Sequence, residues 1–331
     1  MAVLVTGGGG YIGSHMIWAL LDNGEDVVVI DRLSTGFRWA IAPEACFYEG
    51  DIADTDLMTR IFVENAIDSI IHFAGSIVVP DSVSDPLGYY ENNTVKSRSL
   101  IESAVKAGIP YFVFSSTAAV YGTPEVLEPV SETVNLRPES PYGSSKLMTE
   151  IMLRDTAAAH PFTYTALRYF NVAGADPRGR SGQSSAISTH LIKVACATAL
   201  GKRSSMSVFG TDYPTADGTC VRDYIHVWDL VQAHLKALQR MRAGGGSLAA
   251  NCGYGHGFSV LEVLDTVKRV HGADFDVTFS ERRAGDPAMI VANPGLAMKE
   301  LGWTPEFDDL DRIVRSALDW EVKLARRNAF D

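Results

Sequence analysis

The chain has 331 residues, of which 46% are hydrophobic and 21% are charged, and its formal net charge at pH 7 is −11. This length allows two domains, or one large α/β unit with a smaller lobe, and the composition is typical of a globular enzyme. The acidic balance argues against nucleic acid as a partner, because phosphate backbones are bound by clustered Lys and Arg.

The cysteine pattern and the first residues bear on the compartment. Cys46, Cys196, Cys220 and Cys252 show neither metal-ligand nor disulfide-framework spacing, so we expect reduced thiols and no metal site. The chain opens directly in a strand-like run, and no apolar stretch reaches the ~18 residues that span a bilayer. We therefore expect a cytoplasmic protein without a membrane partner.

The amino-terminal residues predict a strand, a glycine turn, a helix and a second strand. The segments in order are the apolar run 1–6, the glycine-rich run 7–13, the helical pattern 14–21 and the apolar run 27–30. This is the pattern of a dinucleotide-binding βαβ unit. Gly7 permits the tight turn, Gly10 admits the pyrophosphate and Gly13 lets the helix pack on the strand. The helix N-terminus favours the phosphates.

Asp31 ends the second apolar run, eighteen positions after Gly13. A carboxylate there can accept hydrogen bonds from an adenosine ribose and repels a 2′-phosphate, which favours NAD over NADP. Arg32 weakens that preference, because a guanidinium can accommodate the extra phosphate. The sequence therefore predicts an NAD site that includes Gly7, Gly10, Tyr11, Ile12, Gly13 and Asp31.

Strand-like and helix-like segments alternate through the first half of the chain, which predicts a doubly wound parallel sheet with helices on both faces, the Rossmann arrangement. The predicted strands are 46–49, 69–73 and 111–115, and the predicted helices are 56–65 and 92–107. Ligands gather at the carboxyl ends of parallel strands. We therefore expect cofactor contacts from Phe73, Ala74, Gly75, Asp51 and Ile52. Asp51 can reach an adenine amino group, although a solvated loop acid explains it equally well.

The composition changes after residue 170, where Gly, Ser, Asp and Arg crowd residues 174–185. Later helices are predicted at 187–200, 229–241, 260–270 and 310–326. We expect residues 1–170 to form the NAD-binding domain, with some later segments returning to it, and residues 171–331 to form mainly a smaller mixed α/β lobe over the ligand.

Tyr142 and Lys146 carry the predicted chemistry. They lie four residues apart on one predicted helix and therefore share a face. A phenol has an unperturbed pKa of ~10, and a neighbouring ammonium together with an oxidised nicotinamide ring favours the phenolate. Thr117, which closes the fifth strand, adds a hydroxyl for the substrate oxygen. A surface helix with a satisfied tyrosine is the alternative for this spacing alone.

These motifs resemble the extended short-chain dehydrogenase/reductase family, and within it the UDP-glucose 4-epimerases, over nearly the whole chain. The matching stretches include VTGGGGYIGSH, HFAG, FSSTAAVYG, SPYGSSKL, LRYFNVAGA and FGTDYPTADGTCVRDYIHVWDL. The resemblance implies interconversion of UDP-glucose and UDP-galactose. In that reaction tightly bound NAD transiently oxidises the sugar at C4, and hydride returns to either face of a 4-keto sugar.

The resemblance also implies further contacts. Asn92, Ser115 and Tyr169 would help to hold the cofactor. The implied UDP-sugar contacts are Thr117, Tyr142, Asn171, His190, Val208, Phe209, Arg222, Arg283, Asp286 and Ile290. Arg222 and Arg283 would clamp the two phosphates, since the guanidinium fork matches phosphate oxygens. Their spacing in the sequence is equally compatible with ordinary surface arginines. Asp286 would bind the uridine ribose, and Ile290, or Met289 after a one-residue shift, would stand beside the C2 substituent of the sugar.

Three positions depart from the epimerase pattern. Ile77 lies where a lysine is usual, His190 lies where paired asparagines are usual, and Arg32 lies where asparagine is common. The first departure removes one cofactor contact. We therefore expect an altered affinity for the cofactor.

Two other functions compete with the epimerase interpretation. A sugar-nucleotide 4,6-dehydratase or decarboxylase would carry an acid directly after Thr117, where this chain has Ala118 and Ala119. A non-catalytic regulator that binds NAD or a UDP-sugar would commonly lose Tyr142 or Lys146, and both are present. The sugar itself stays open, because N-acetylhexosamine and pentose 4-epimerases share these residues.

Helices 92–107 and 146–159 are apolar over more than one face. The apolar residues are Val95, Leu100, Ile101, Ala104, Val105, Leu147, Met148, Ile151, Met152 and Leu153. Such breadth indicates a second buried face. By resemblance these helices pair in a homodimer as a four-helix bundle.

Overall fold

The structure is a computed structural model that describes residues 1–185, 188–283 and 285–328. Its strands are β1 (Ala2–Thr6), β2 (Asp26–Asp31), β3 (Cys46–Glu49), β4 (Ile67–His72), β5 (Tyr111–Thr117), β6 (Thr163–Tyr169), β7 (Asn171–Ala173), β8 (Met206–Phe209), β9 (Val221–Arg222), β10 (Tyr224–His226), β11 (Leu248–Cys252), β12 (Phe258–Ser259), β13 (Val277–Ser280) and β14 (Met289–Ile290).

The helices alternate with these strands. They are α1 (Tyr11–Asp22), α2 (Thr55–Glu64), α3 (Val79–Ser84), α4 (Pro86–Tyr89), α5 (Lys96–Lys106), α6 (Pro141–Ala159), α7 (Leu191–Ala199), α8 (Val227–Arg242), α9 (Val260–His271), α10 (Gly295–Leu301) and α11 (Leu310–Asn328). A π-helical turn (Tyr90–Val95) joins α4 to α5. No helix in the described part of the chain is long and apolar enough to cross a membrane.

Seven parallel strands form the central sheet, in the order β11-β6-β5-β4-β1-β2-β3. Alternate strand residues point to opposite faces, and each face has its own core. Val5, Val29 and Val113 pack with α1 and α8, whereas Leu4 and Phe112 pack with α2, α5 and α6. Both faces are covered, which explains why these strands read as continuous apolar runs. The predicted doubly wound sheet is confirmed.

Three smaller sheets are formed by strands that come after β6 in the chain. β7 pairs with β10, β8 pairs with β13, and β9 lies between β12 and β14. β7 begins two residues after β6 ends, so this lobe starts at the carboxyl edge of the central sheet. β11, which belongs to the later part of the chain, pairs in parallel with β6. We therefore propose that the NAD-binding unit comprises residues 1–170 together with α8 and β11.

Two predicted helices differ from the structure at their starts. The helix expected at 92–107 is divided, because the chain passes through a π-helical turn before α5 begins at Lys96. Within this turn the carbonyl of Asn93 accepts hydrogen bonds from Ser97 Oγ at 2.6 Å and from Thr149 Oγ1 at 3.3 Å, so side chains replace part of the regular ladder. The helix expected at 187–200 begins at Leu191 with His190 as its N-cap, and Ile187 lies outside the described residues.

Gly13 provides a test of the turn between β1 and α1. A Cβ added there would lie 2.2 Å from the carbonyl oxygen of Gly7, so the turn or the helix would have to shift. Overpacking of this kind costs about 1–3 kcal/mol. We expect Gly13→Ala to lower the thermal unfolding midpoint by several degrees, measured by circular dichroism.

Gly246→Ala is the matched control, because a Cβ added there meets no heavy atom within 4 Å. Its midpoint should stay close to that of the native protein. A native midpoint for Gly13→Ala would contradict the close approach of helix and turn.

Candidate functional site

The glycine-rich turn forms a cradle that side chains would fill. Gly7 has φ +71°, and a Cβ added to it would lie 2.7 Å from the backbone nitrogen of Ala74, at the end of β4. The first turn of α1 has no side-chain cap and no acidic residue, so its N–H groups face the cradle without competition from the protein. A dinucleotide pyrophosphate fits this arrangement, and Tyr11 and Ile12 begin the helix beside it.

Asp31 lies beside the glycine-rich turn, and Asp51 lies near Arg32, the residue that follows Asp31. Asp31 accepts hydrogen bonds from the backbone nitrogens of Gly9 and Leu33, both at 2.8 Å. Asp51 contacts Lys96 Nζ at 2.5 Å and Arg32 Nη1 at 3.5 Å. Burial alone would raise the pKa of Asp51, but its hydrogen bonds to Lys96 and the backbone hold the pKa below its usual value. Ile52 is buried beside it.

The predicted catalytic residues meet where β5 ends. Thr117 is the last residue of β5, and Tyr142 lies in the first turn of α6, which Pro141 begins and Ser140 caps through the backbone nitrogen of Gly143. Lys146 Nζ donates to the carbonyl of Ser115 at 2.9 Å. Ser115 and Tyr169 are joined through their hydroxyls. Tyr142 and Lys146 are both buried.

Burial governs the charge states of Tyr142 and Lys146. It raises the pKa of Tyr142, and the Thr117 hydroxyl only partly opposes that shift. It lowers the pKa of Lys146 to about 8. From the sequence we expect Lys146 to lower the pKa of the Tyr142 phenol. In the protein alone, burial has the larger effect and the pKa is raised. Additional positive charge, such as that of an oxidised nicotinamide ring, is therefore needed to favour the phenolate.

Asn93, which the sequence analysis did not name beside Asn92, is the more deeply buried of the two asparagines next to α6. Asn92 Nδ2 donates only to Ser76 Oγ, at 2.9 Å. The buried Asn93 accepts from the backbone nitrogen of Ser76 at 2.7 Å and donates to its carbonyl at 2.9 Å. It also donates to Ser145 Oγ at 3.1 Å on α6. Asn93 therefore fixes the segment after Gly75 next to the catalytic helix. The two consecutive asparagines in the sequence indicate a polar contact here. The geometry of the π-helical turn determines which of the two side chains points inward.

The segment after Gly75 presents no cation to a cofactor. Ile77, at the position where lysine is usual, is exposed. The following carbonyl, of Val78, accepts a hydrogen bond from Tyr89 at 2.6 Å.

The predicted phosphate and ribose contacts form a second group in the smaller lobe. Arg222 Nη2 donates to Asp286 Oδ1 at 2.5 Å. The guanidinium of Arg283 lies 3.8 Å from the centre of the Phe209 ring. The two pairs are linked, because the backbone nitrogen of Asp286 donates to the carbonyl of Arg283 at 3.4 Å. Arg222, Arg283 and Asp286 therefore belong to one local group of residues, and a guanidinium fork suits the oxygens of a diphosphate.

Three other residues that were expected to contact the UDP-sugar lie in surroundings unlike those of the two arginines. The side chain of Val208 is buried in the core, so a contact between Val208 and a substrate would involve its backbone. The backbone nitrogen of Asn171 donates to the carbonyl of Asp223 at 3.0 Å. His190 Nδ1 lies 2.8 Å from Gln183 Nε2, and burial lowers its imidazole pKa. His190 is therefore neutral at pH 7 and provides no positive charge for a phosphate.

Ile290 joins the smaller lobe to the catalytic strand. It is buried against Ala118, Val120, Tyr121 and Val130, in the segment that follows Thr117. Its backbone belongs to β14, which pairs with β9 beside Arg222. Ile290 therefore connects the strand that carries Arg222 with the segment that follows Thr117.

Comparisons with known proteins agree with this geometry. Residues 3–253 match the model of the NAD dependent epimerase/dehydratase family. The chain is 55% identical to a UDP-glucose 4-epimerase of Azospirillum brasilense over 97% of this chain and 92% of that protein.

Two solved structures are similar over almost the full length. The UDP-glucose 4-epimerase from Brucella ovis in complex with NAD has a TM-score of 0.93 and 42% identity, covering 96% of this chain and 97% of that one. The UDP-glucose 4-epimerase from Bifidobacterium longum in complex with NAD+ and UDP has a TM-score of 0.92 and 39% identity, covering 98% of both chains. On its sequence, its fold and the arrangement of its site, this chain belongs to the NAD dependent epimerase/dehydratase family.

Proposed function

We propose that this protein interconverts UDP-glucose and UDP-galactose by epimerisation at C4 of the sugar. The observation that carries the proposal is the buried cluster of Thr117, Tyr142 and Lys146 next to the glycine cradle. The names of the relatives, which are UDP-glucose 4-epimerases at high identity over most of the chain, support it. The chemistry that bound NAD supplies is reversible acceptance of a hydride from C4, so no net oxidation occurs.

Tyr142 performs the proton transfer in this proposal. Its phenolate takes the proton of the 4-hydroxyl, and the phenol returns a proton to the same oxygen after the sugar has turned over. Thr117 holds that oxygen through its hydroxyl. Lys146 hydrogen-bonds to the carbonyl of Ser115 and keeps a positive charge near the end of β5. The burial of Tyr142 and Lys146 excludes water from the proton transfer.

The nucleotide end of the substrate stays bound while the sugar rotates. Arg222 and Arg283 clamp the two phosphates, and Asp286, which Arg222 holds in place, accepts hydrogen bonds from the uridine ribose. These contacts lie in the smaller lobe, whereas the proton transfer takes place at the end of β5. A sugar tethered only through its diphosphate can therefore present either face to the cofactor site.

The bulk of Ile290 sets how much room the C2 substituent of the sugar has. Isoleucine is smaller than an aromatic residue, but it is stiff at χ1 and is held by its neighbours here. We propose weak turnover of UDP-N-acetylhexosamines beside the main activity on UDP-glucose and UDP-galactose.

A homodimer is the assembly that the surface supports. Val95, Met148 and Ile151 are 47%, 42% and 40% exposed around the junction of α5 and α6. Thr94 Oγ1 touches Met148 Sδ across that junction. The face is narrower than the sequence pattern suggested, because Leu100, Ile101, Ala104 and Leu153 are buried within the monomer. A second copy of the chain would cover the remaining apolar side chains through an isologous contact of two helices from each protomer.

The four free thiols suit a reducing compartment, and we place the protein in the cytoplasm.

Tyr142→Phe tests the catalytic role. Loss of the hydroxyl removes the general acid and base, so kcat should fall at least ~10²-fold, as is typical of such catalysis. UDP should still bind, measured by isothermal titration calorimetry. Tyr111→Phe, at the opposite end of β5, is the matched control and should keep the native kcat. Native turnover by Tyr142→Phe would refute the assignment.

Ile290→Tyr and Ile290→Ala test the specificity. A misfit of one or two methylenes is worth about 1–3 kcal/mol. We expect the tyrosine to lower kcat/KM for UDP-N-acetylglucosamine selectively, relative to UDP-glucose, and the alanine to raise it. An unchanged ratio of the two kcat/KM values in both variants would mean that Ile290 does not contact the sugar.

Met148→Glu combined with Ile151→Glu tests the dimer. Four carboxylates buried across the two-fold axis would repel one another and lose their hydration, so light scattering should report a dimer for the native protein and a monomer for this variant. Val63→Glu, at an exposed valine on α2, is the control and should stay dimeric. A native monomer at micromolar concentration would overturn this assembly.

A further inference from the structure

A buried polar cluster lies beside the catalytic residues but makes none of the contacts described so far. Its centre is an ion pair between Glu150 on α6 and Arg168 on β6. Glu150 Oε1 accepts from Arg168 Nε at 3.0 Å, and Oε2 accepts from Arg168 Nη2 at 2.6 Å. Glu150 Oε1 also accepts from Ser116 Oγ at 2.5 Å. The two charged side chains are only 7% and 6% exposed.

The cluster continues beyond the ion pair. Arg168 Nη1 donates to the Tyr121 hydroxyl at 3.0 Å, and that hydroxyl donates to Asn251 Oδ1 at 2.7 Å. Asn251 Nδ2 donates to the carbonyl of Val130 at 2.8 Å. One connected set of hydrogen bonds therefore joins α6 to β5, β6, β11 and the segment that follows β5.

Each central member of the cluster is a close neighbour of a site residue. Ser116 lies between Ser115, which receives the Lys146 ammonium, and Thr117. Arg168 directly precedes Tyr169, whose hydroxyl meets Ser115. Glu150 lies four residues after Lys146 and eight after Tyr142, so the three share the buried face of α6. A displacement of Glu150 would therefore move the catalytic residues with it.

The free energy of unfolding gives no reason to prefer a buried ion pair at this position. Removing two charges from water is costly, and apolar residues of similar volume often stabilise a protein equally well or better. A carboxylate that meets a guanidinium through two parallel hydrogen bonds fixes distance and angle, which apolar contacts do not. Although burial works against its charge, the hydrogen bonds and the negative charge of Glu150 hold the pKa of Arg168 above its ordinary value, so the guanidinium stays charged.

We propose that Glu150 and Arg168 are positioning residues, which set the placement of α6 on β5 and thereby hold the Tyr142 hydroxyl at Thr117 for proton transfer. This inference rests on the proposed 4-epimerase activity. Neither side chain touches the substrate, so their contribution acts on kcat and on the titration of Tyr142, and leaves the binding of the nucleotide unchanged.

The test replaces both charges together, because a single replacement leaves one buried charge without its partner. In the double variant Glu150→Met with Arg168→Met we expect a folded protein with KM for UDP-galactose within about threefold of native. Its kcat should be about 10- to 100-fold lower, the scale of a small misplacement of reacting groups. The pH profile of kcat should shift as well, since the surroundings of the phenol change.

Two milder variants test the proposal if the double variant does not fold, because both keep the ion pair. Ser116→Ala removes the hydrogen bond to Glu150, and Tyr121→Phe removes the two hydrogen bonds to Arg168 and Asn251. Both should stay folded with KM near native and at most a modest fall in the unfolding midpoint, since each leaves a buried polar group with one partner fewer, while kcat falls as in the double variant. Arg242→Met is the matched control, because it breaks a part-buried ion pair with Glu25 and Asp68 that joins α8 to the start of β4. It should lower the unfolding midpoint and leave kcat and its pH profile native.

The outcomes separate the two proposals. If the native protein does not convert UDP-galactose to UDP-glucose, the proposed function fails. If the native protein is active, and the folded double variant or both milder variants show native kcat and a native pH profile, the positioning role is overturned. A loss of kcat in Arg242→Met equal to that in the double variant would also overturn it, since a general loss of stability would then explain both.

Discussion

Parallel pairing in register brings the carboxyl ends of β1, β4, β5 and β6 together, and the site depends on this alignment. Thr6 lies opposite His72, His72 lies opposite Phe114, and Thr117 lies opposite Tyr169. A slip of one residue would turn every side chain of a strand to the other face. Buried side-chain bonds strengthen the register, because the His72 ring bonds to Thr6 Oγ1 at 2.7 Å and to Ser97 Oγ at 2.8 Å. Burial lowers the pKa of His72 to about 3, so the ring stays neutral at physiological pH.

The candidate site places its buried titratable side chains and its arginines in different surroundings. Tyr142 and Lys146 are buried, and burial opposes the charged form of each. The groups expected to bind phosphate are paired instead, Arg222 with the carboxylate of Asp286 and Arg283 with the ring of Phe209. Proton transfer needs a phenol that can be tuned by a bound cation, whereas phosphate binding needs permanent positive charge. The two lobes provide one environment each.

Polar residues next to Tyr142 and Lys146 join the helix that carries them to the surrounding segments. Asn93 fixes the segment after Gly75 against α6, and the cluster around Glu150 and Arg168 joins α6 to β5, β6 and β11. Both are fully buried polar arrangements with their hydrogen bonds made within the protein. Such networks specify one geometry when they are satisfied, because any displacement leaves a polar group without a partner in a low-dielectric interior. The rigidity of the catalytic helix follows from them.

The sequence by itself determined the features that depend on local spacing. The glycine positions predicted the cradle, and the four-residue interval predicted that Tyr142 and Lys146 share a helical face. The alternation of strand-like and helix-like segments predicted a parallel sheet with helices on both faces. Only the tertiary structure decided which of Asn92 and Asn93 points inward, that burial raises the phenol pKa, that Val208 is buried and that β11 joins the central sheet. It also brought Arg168 to Glu150 and Asp286 to Arg222, residues distant in the chain. Local spacing encodes turns and helix faces through fixed periodicities, whereas these contacts depend on strand order and packing, which no short-range pattern specifies.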